Sequence, residues 1–65
     1  MHVLVNNQPV ELGCDTQLSV ALTHYGAQPP YAILLNDRFL PQSEHAHTQL
    51  TQGDRIDVIC AIQGG

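Results

Sequence analysis

Lysine is missing from this chain altogether, and Arg38 and Arg55 are its only arginines against six acidic side chains, for a net charge of −4. Nucleic-acid binding depends on neutralising phosphates with Lys and Arg, so this balance argues against DNA or RNA as a partner. An acidic chain instead suits a partner with a basic docking surface, because complementary fields speed encounter. No apolar run approaches the roughly 20 residues that span a bilayer. The N-terminus lacks the charged start, apolar centre and small-residue cleavage site of a signal peptide, so no membrane is expected and the expected compartment is the cytoplasm. The phosphate-loop spacing and the dinucleotide fingerprint are absent as well.

Length is also in short supply. A 65-residue chain buries only about 60% of the surface it exposes when unfolded, so its core is thin. A deep enzyme pocket walled on all sides does not fit such a core. With 43% hydrophobic residues and a mean hydropathy of −0.08, the chain is still too apolar for a disordered tail. One domain over residues 1–65 is expected, of a size that works by being held by something larger.

What is present is a clear change of period along the chain. From Met1 to Asn6, Val3 and Val5 alternate with His2 and Leu4, which is strand period. Asn6-Asn7 then supplies residues that tolerate the positive φ of tight hairpin turns. Gln8 to Gly13 follows as a second strand, with Pro9 suited to the start of an edge strand. Leu18, Ala21, Leu22 and Tyr25 next recur at helical spacing, predicting a helix of about nine residues. Asp15 or Thr16 is expected to cap it, and Gly26 with Pro29-Pro30 to end it.

Tyr31 to Leu35 is a continuous apolar run, as for a strand covered on both faces. Asn36-Asp37 marks a second turn, before a short strand at Arg38 to Leu40 that Pro41 ends. Gln42 to Thr51 reads as polar and irregular, and Gly53-Asp54 as a third turn. In the last strand, Arg55 to Ile62, Ile56, Val58, Cys60 and Ile62 alternate with Arg55, Asp57, Ile59 and Ala61. The predicted fold is therefore α+β, a sheet of four to five strands with one helix packed across one face, over Val3, Val5, Ile56 and Val58. Leu4, Ile59 and Ala61 are left on the face that a single helix cannot cover. They are the candidate docking patch for a larger protein.

Four histidines and two cysteines invite a catalytic or metal reading. His45-x-His47 offers two ligands and no third nearby, so solvent-exposed loop histidines are expected rather than a zinc site. Cys60 falls among core positions and is expected to be a buried, unreactive thiol. Cys14 lies before the helix, where the N-terminal dipole favours a thiolate. Two free thiols are expected rather than a disulfide.

The chemistry-bearing feature is the end, Ala61-Ile62-Gln63-Gly64-Gly65. If the strand stops at Ile62, Gln63, Gly64 and Gly65 project beyond the sheet by about 10 Å. Glycine has no Cβ, so such a tail fits a channel too narrow for other residues and leaves its carboxylate unhindered. A carboxylate joined to AMP becomes an electrophile open to sulfur, amine or thiol.

On these residues the chain resembles the ubiquitin-like sulfur carriers and, within them, the thiamine-thiazole carriers (ThiS type). The likeness includes the Asn6-Asn7 turn, Thr16-Gln17-Leu18, Leu35-Asn36-Asp37 leading to Pro41-Gln42-Ser43-Glu44, Gln52-Gly53-Asp54-Arg55-Ile56 and the terminal Gln63-Gly64-Gly65. The resemblance implies a ubiquitin-like β-grasp fold and a non-catalytic carrier with no bound cofactor. It implies that Gly65 is adenylated with ATP by an E1-like adenylating enzyme (ThiF type) and converted to a thiocarboxylate. The sulfur would come from a cysteine desulfurase and pass to a thiazole synthase (ThiG type) in thiamine biosynthesis. Two positions depart from the family pattern: Gln42 stands where members often carry a basic residue, and His45 where they often carry an aromatic. Small subunits of molybdopterin synthase share the fold and the Gly-Gly end but usually run longer; length and Gln63 favour the thiamine branch. A ubiquitin-like protein modifier is a further alternative, and without lysine it would build no lysine-linked chains on itself. A pure interaction module, with a tail of no importance, is the last.

Overall fold

The computed structural model describes residues 1–60; Ala61 to Gly65 lie outside the described residues. Five strands form one mixed sheet: β1 (His2–Val5), β2 (Gln8–Glu11), β3 (Tyr31–Leu35), β4 (Arg38–Leu40) and β5 (Arg55–Cys60). One helix, α1 (Leu18–Tyr25), joins β2 to β3. The spatial order is β2-β1-β5-β3-β4, with β5 parallel to β1 and antiparallel to β3. This is the ubiquitin-like β-grasp arrangement. No helix among the described residues is long and apolar enough to cross a membrane.

Both hairpins rest on two-residue turns at the expected places. Asn6 and Asn7 have φ of 51° and 65°, and Asn36 and Asp37 have 51° and 69°. Positive φ at both central residues matches the right-handed twist of the flanking strands, and Asn and Asp accept it at small cost. Pro9 sits on edge strand β2, where a missing N–H is harmless. The Pro29–Pro30 peptide bond is cis.

The core lies between the sheet and α1. Val3, Val5, Ile33, Ile56 and Val58 from the sheet meet Leu18, Ala21 and Leu22 from the helix, with Leu12 and Leu50 closing the ends. An isolated helix of eight residues is marginal in water, so α1 owes its stability to this packing. Gly26 ends it in the left-handed conformation, φ 90°, its N–H donating to the Leu22 and Thr23 carbonyls.

Four expectations need correction. The helix cap is Gln17, with no side-chain cap bond. Asp15 Oδ1 instead accepts the Gln17 N–H at 3.1 Å, and Thr16 Oγ1 bonds Gln49 Oε1. The Leu18 N–H donates to the Thr48 carbonyl, and the Leu50 N–H to the Thr16 carbonyl at 2.7 Å. A distant backbone segment thus serves the helix start in place of a local side chain. Second, residues 42–51 are not irregular throughout: Gln42–His47 is a 3-10 helix, and Leu50 behind it is buried. Third, β3 is not covered on both faces: Ala32 and Leu34 lie on the side of the sheet opposite α1, and on the helix side only Ile33 is fully buried, because α1 packs chiefly against β1, β2 and the 3-10 helix. Fourth, Cys60 is exposed for the same reason, pairing with Tyr31 at the end of the sheet that α1 does not reach.

The Gly53-Asp54 turn starts β5 beside β1. Gly53, at φ +85°, donates its N–H to the His2 carbonyl at 2.8 Å, and the Asp54 carbonyl accepts the Leu4 N–H at 2.9 Å. The Asp54 carboxylate accepts the Thr51 N–H, the Thr51 hydroxyl and Asn36 Nδ2 at 2.8–3.1 Å. Partial burial raises its pKa, but these three hydrogen bonds outweigh that and hold it below the usual aspartate value. The unfolded chain therefore binds this proton more readily than the folded one. Stability from Asp54 is present above about pH 4, the ordinary aspartate range, and is lost as pH falls through the lower folded value. Urea midpoints measured against pH should decline on the acid side, and Asp54→Asn should flatten that decline; an unchanged slope would remove Asp54 from the account.

Asn6 continues the parallel ladder past the end of β1. Its backbone N–H reaches the Ile56 carbonyl at 2.9 Å, and its side-chain amide then takes over the next rung. Asn6 Oδ1 accepts the Val58 N–H at 2.8 Å while Nδ2 donates to the Val58 carbonyl at 3.3 Å and to the Tyr25 hydroxyl at 3.0 Å. Asn6→Gly keeps the positive φ and deletes these bonds. It should cost about 1–2 kcal/mol in equilibrium urea unfolding, where a cost near zero would mean that water replaces the amide freely.

Candidate functional site

Alternation along β5 sorts its residues between two faces. Ile56 and Val58 point into the core, and Arg55, Asp57 and Ile59 point to the open face of the sheet. Register extends the open face across the neighbouring strands. Ile59 stands beside Ala32, Asp57 beside Leu34, and Leu34 beside Phe39. On the other side Arg55 stands beside Leu4, and Leu4 beside Pro9.

Leu4 and Ile59 are thus both on the uncovered face, 36% and 54% exposed, and Ala61 lies outside the described residues. They do not adjoin. Ile59 is four steps along β5 from Arg55, the partner of Leu4, which is about 13 Å. Ile59 instead joins Ala32, Leu34 and Phe39 in an apolar diagonal running from β5 to β4. Phe39 is 65% exposed, the largest exposed apolar side chain of the diagonal, and the sequence reading passed over it. The signal was available: with Leu40 packed on the core, alternation turns Phe39 outward.

Charge divides Leu4 from that diagonal. The Arg55 guanidinium pairs with the Asp37 carboxylate across the second hairpin, and that hydrogen bond and attraction push its pKa up. Asp57 lies two residues on, on the same face. Further along the face, His2 and the Met1 amino group both contact Glu11. The bond from the amino group, with the nearby charge of both partners, holds the Glu11 carboxyl below its usual range.

Of the histidines, His45 does not conform to the expectation of a solvent-exposed loop residue. It is half-buried in the 3-10 helix, its ring stacked on Tyr31 with centroids 6.1 Å apart and planes inclined by 26°, and its Nε2 meets the Leu40 carbonyl at 3.1 Å. Gln42 begins the same helix and is exposed. Cys14 is exposed in the bend before α1. Among the described residues no three His, Cys, Asp or Glu side chains group to hold a metal ion.

Gln63, Gly64 and Gly65 fall outside the described residues. What the fold does position is the strand they continue. β5 is the central strand of the sheet, flanked by β1 on one side and by β3 on the other, with register pairs to β3 running from Leu35↔Ile56 to Tyr31↔Cys60. β5 is therefore held from both sides as far as Val58, where the Asn6 side chain takes the place of β1, and by β3 alone from there to Cys60.

Comparison with known proteins places this arrangement. Residues 3–65 match the ThiS family. No curated protein matches the chain. A crystal structure of the thiamine biosynthesis protein (ThiS) from Geobacter metallireducens is similar in fold, with a TM-score of 0.78, 19% sequence identity and 100% of each chain covered. At that identity the likeness speaks for the fold alone. The family match runs over all but the first two residues and takes in the Gly53-Asp54 turn, β5 and the two final glycines: the chain belongs to the ThiS family.

Proposed function

We propose that this protein is a sulfur carrier of thiamine biosynthesis whose working group is the carboxylate of Gly65. The observation that carries the reading is the ThiS family match, which continues through Gly64 and Gly65. In this reading the chain is a substrate consumed and regenerated, and the catalysis belongs to its partners. An E1-like adenylating enzyme uses ATP to join AMP to the Gly65 carboxylate, with pyrophosphate leaving. Sulfur supplied by a cysteine desulfurase as a persulfide then attacks the carbonyl carbon and AMP leaves; a thiol reduces the S–S bond of the acyl disulfide so formed, which releases the thiocarboxylate and leaves a disulfide on the sulfur donor. Thiazole synthase takes that sulfur.

The fold's contribution is mechanical. Glycine at both final positions removes side-chain bulk from a tail that has to enter another protein's active site. Central strand β5 gives that tail a fixed point of departure at Cys60. The apolar diagonal of Ile59, Ala32, Leu34 and Phe39, with Leu4 on the far side of Arg55 and Asp57, supports a reading of the open face as the docking surface.

Two outcomes test the carrier chemistry and the docking face separately. Incubation with the adenylating enzyme, ATP and a sulfur source should raise the intact mass by one sulfur-for-oxygen exchange at Gly65. One residue added after Gly65 should abolish the gain and leave the urea midpoint unchanged. A modified extended chain would contradict the assignment of Gly65. For the face, Ile59→Glu should keep the fold, since Ile59 is 54% exposed, and weaken binding to the adenylating enzyme by roughly tenfold. Undiminished binding would take the diagonal out of the interface.

A further inference from the structure

Beside the end of β5 lie two open clefts of about 330 and 320 Å³ that share Pro30 and Tyr31. Pro29, Gln42 and His45 complete the first. Ala32, Ile59 and Cys60 complete the second. The Tyr31 ring is thus a partition with a cleft on each side. It is braced: His45 stacks against it, and His45 is itself tied to the Leu40 carbonyl. Bracing removes side-chain freedom before any partner arrives, which is the property of residues that dominate interface energies.

We propose that this braced Tyr31 ridge is the part of the protein gripped by the adenylating enzyme, which inserts an apolar side chain into the second cleft and a hydrogen-bonding one into the first. The proposal rests on the carrier reading and deepens it.

The choice of occupant follows from chain geometry. The Cα of Tyr31 pairs with that of Cys60, and five residues separate Cys60 from Gly65. At about 3.3–3.6 Å per residue the five steps from Cys60 to Gly65 reach at most about 18 Å. An enzyme that holds the Gly65 carboxylate has its active-site rim within that distance of Cys60, the register partner of Tyr31. The Asn36-Asp37 hairpin lies at the other end of β3, four residues further from the tail, or about 13 Å. The partner is therefore brought to the Tyr31 end of the sheet by the length of the tail itself.

The chemistry of the occupant follows from the lining. The second cleft, between Pro30, Tyr31, Ala32, Ile59 and Cys60, is mainly apolar; the first adds the Gln42 amide and the His45 imidazole and is about as polar as it is apolar. Both clefts sit at the lower end of the roughly 300–1,000 Å³ of ligand pockets and open to solvent, so they fit protruding side chains better than an enclosed small molecule. Tyr31 and Cys60 keep the period of Ile33 and Val58 and belong to the helix side of the sheet, whereas Ile59 and Ala32 belong to the open face; the second cleft, lined by all four, lies at the end of the sheet where the two faces meet.

Two variants test this. Cys60→Arg puts a charge and bulk into the second cleft at an exposed position, and Tyr31→Ala removes the partition. Each is assayed for thiocarboxylation of the full chain by the adenylating enzyme with ATP and a sulfur source, with urea unfolding alongside. For Cys60→Arg the KM for the carrier should rise about tenfold or more with kcat and urea midpoint unchanged. Tyr31→Ala should raise KM similarly; any loss of stability in it leaves Cys60→Arg to decide. A KM within about twofold of wild type for Cys60→Arg, with the wild-type chain fully modified, overturns the ridge and leaves the carrier reading standing. A wild-type chain that is not modified at all overturns both.

Discussion

The parallel pairing of β1 with β5 is the constraint on which everything else in this small fold depends. It joins the opening strand of the chain to the strand that carries the tail, and it places that strand at the centre of the sheet. Closing so long a loop has an entropic cost that local contacts do not repay. The chain meets it with a concentrated set of directed bonds at the junction. Gly53 and Asp54 bring the strand in beside His2 and Leu4, and Asn36 holds the Arg55 N–H at 2.9 Å through Oδ1. Asn6 then extends the ladder to Val58 with its own side chain. Turn residues thus have a second occupation: the asparagines that allow the hairpins to reverse also bind the strand that neither hairpin contains.

That arrangement explains how a thin core suffices. Burial of ten residues between one sheet face and eight residues of helix leaves the opposite face without cover. In a larger domain a second layer would fill that face. Here it carries Arg55 and Asp57 across its middle, and apolar side chains gather on one side of them, towards β4 and the end of β5. Charge near the centre limits indiscriminate adhesion of an open sheet and confines its exposed apolar side chains to one displaced diagonal.

The parts legible in the sequence were those governed by neighbours along the chain. Asn6-Asn7, Asn36-Asp37, Gly26 and Gly53-Asp54 announced turns because backbone sterics act locally, and the register of the hairpins followed from them. Alternation also placed Val3, Val5, Ile56 and Val58 on the covered face. What escaped was set by distant segments. Thr48 and Gln49 come from far along the chain to serve the start of α1, so a search for a capping side chain looked in the wrong place. Leu50 sits in a polar stretch and is buried because the 3-10 helix folds it under α1. Cys60 keeps the period of the core and is exposed, since periodicity tells which side a residue faces but not how far the helix extends along that side.

The same limit accounts for the candidate site. Which face stays open could be read from the number of helices, so Leu4 and Ile59 were found. That Phe39 joins Ile59 through Leu34, and that Tyr31 on the helix side stands beside Cys60, depends on register between strands far apart in sequence, so those two neighbourhoods were not. Phe39 and Tyr31 belong to the β3–β4 hairpin, and both reach the tail only through β5, by the pairs Leu34↔Asp57 and Tyr31↔Cys60. The strand that the last five residues follow thereby also decides which side chains stand beside its end at Cys60. On the proposed reading, in which a partner takes up the Gly65 carboxylate, recognition and delivery are one structural problem, because the ladder that anchors β5 sets where Cys60 stands relative to Tyr31, Ile59 and Phe39.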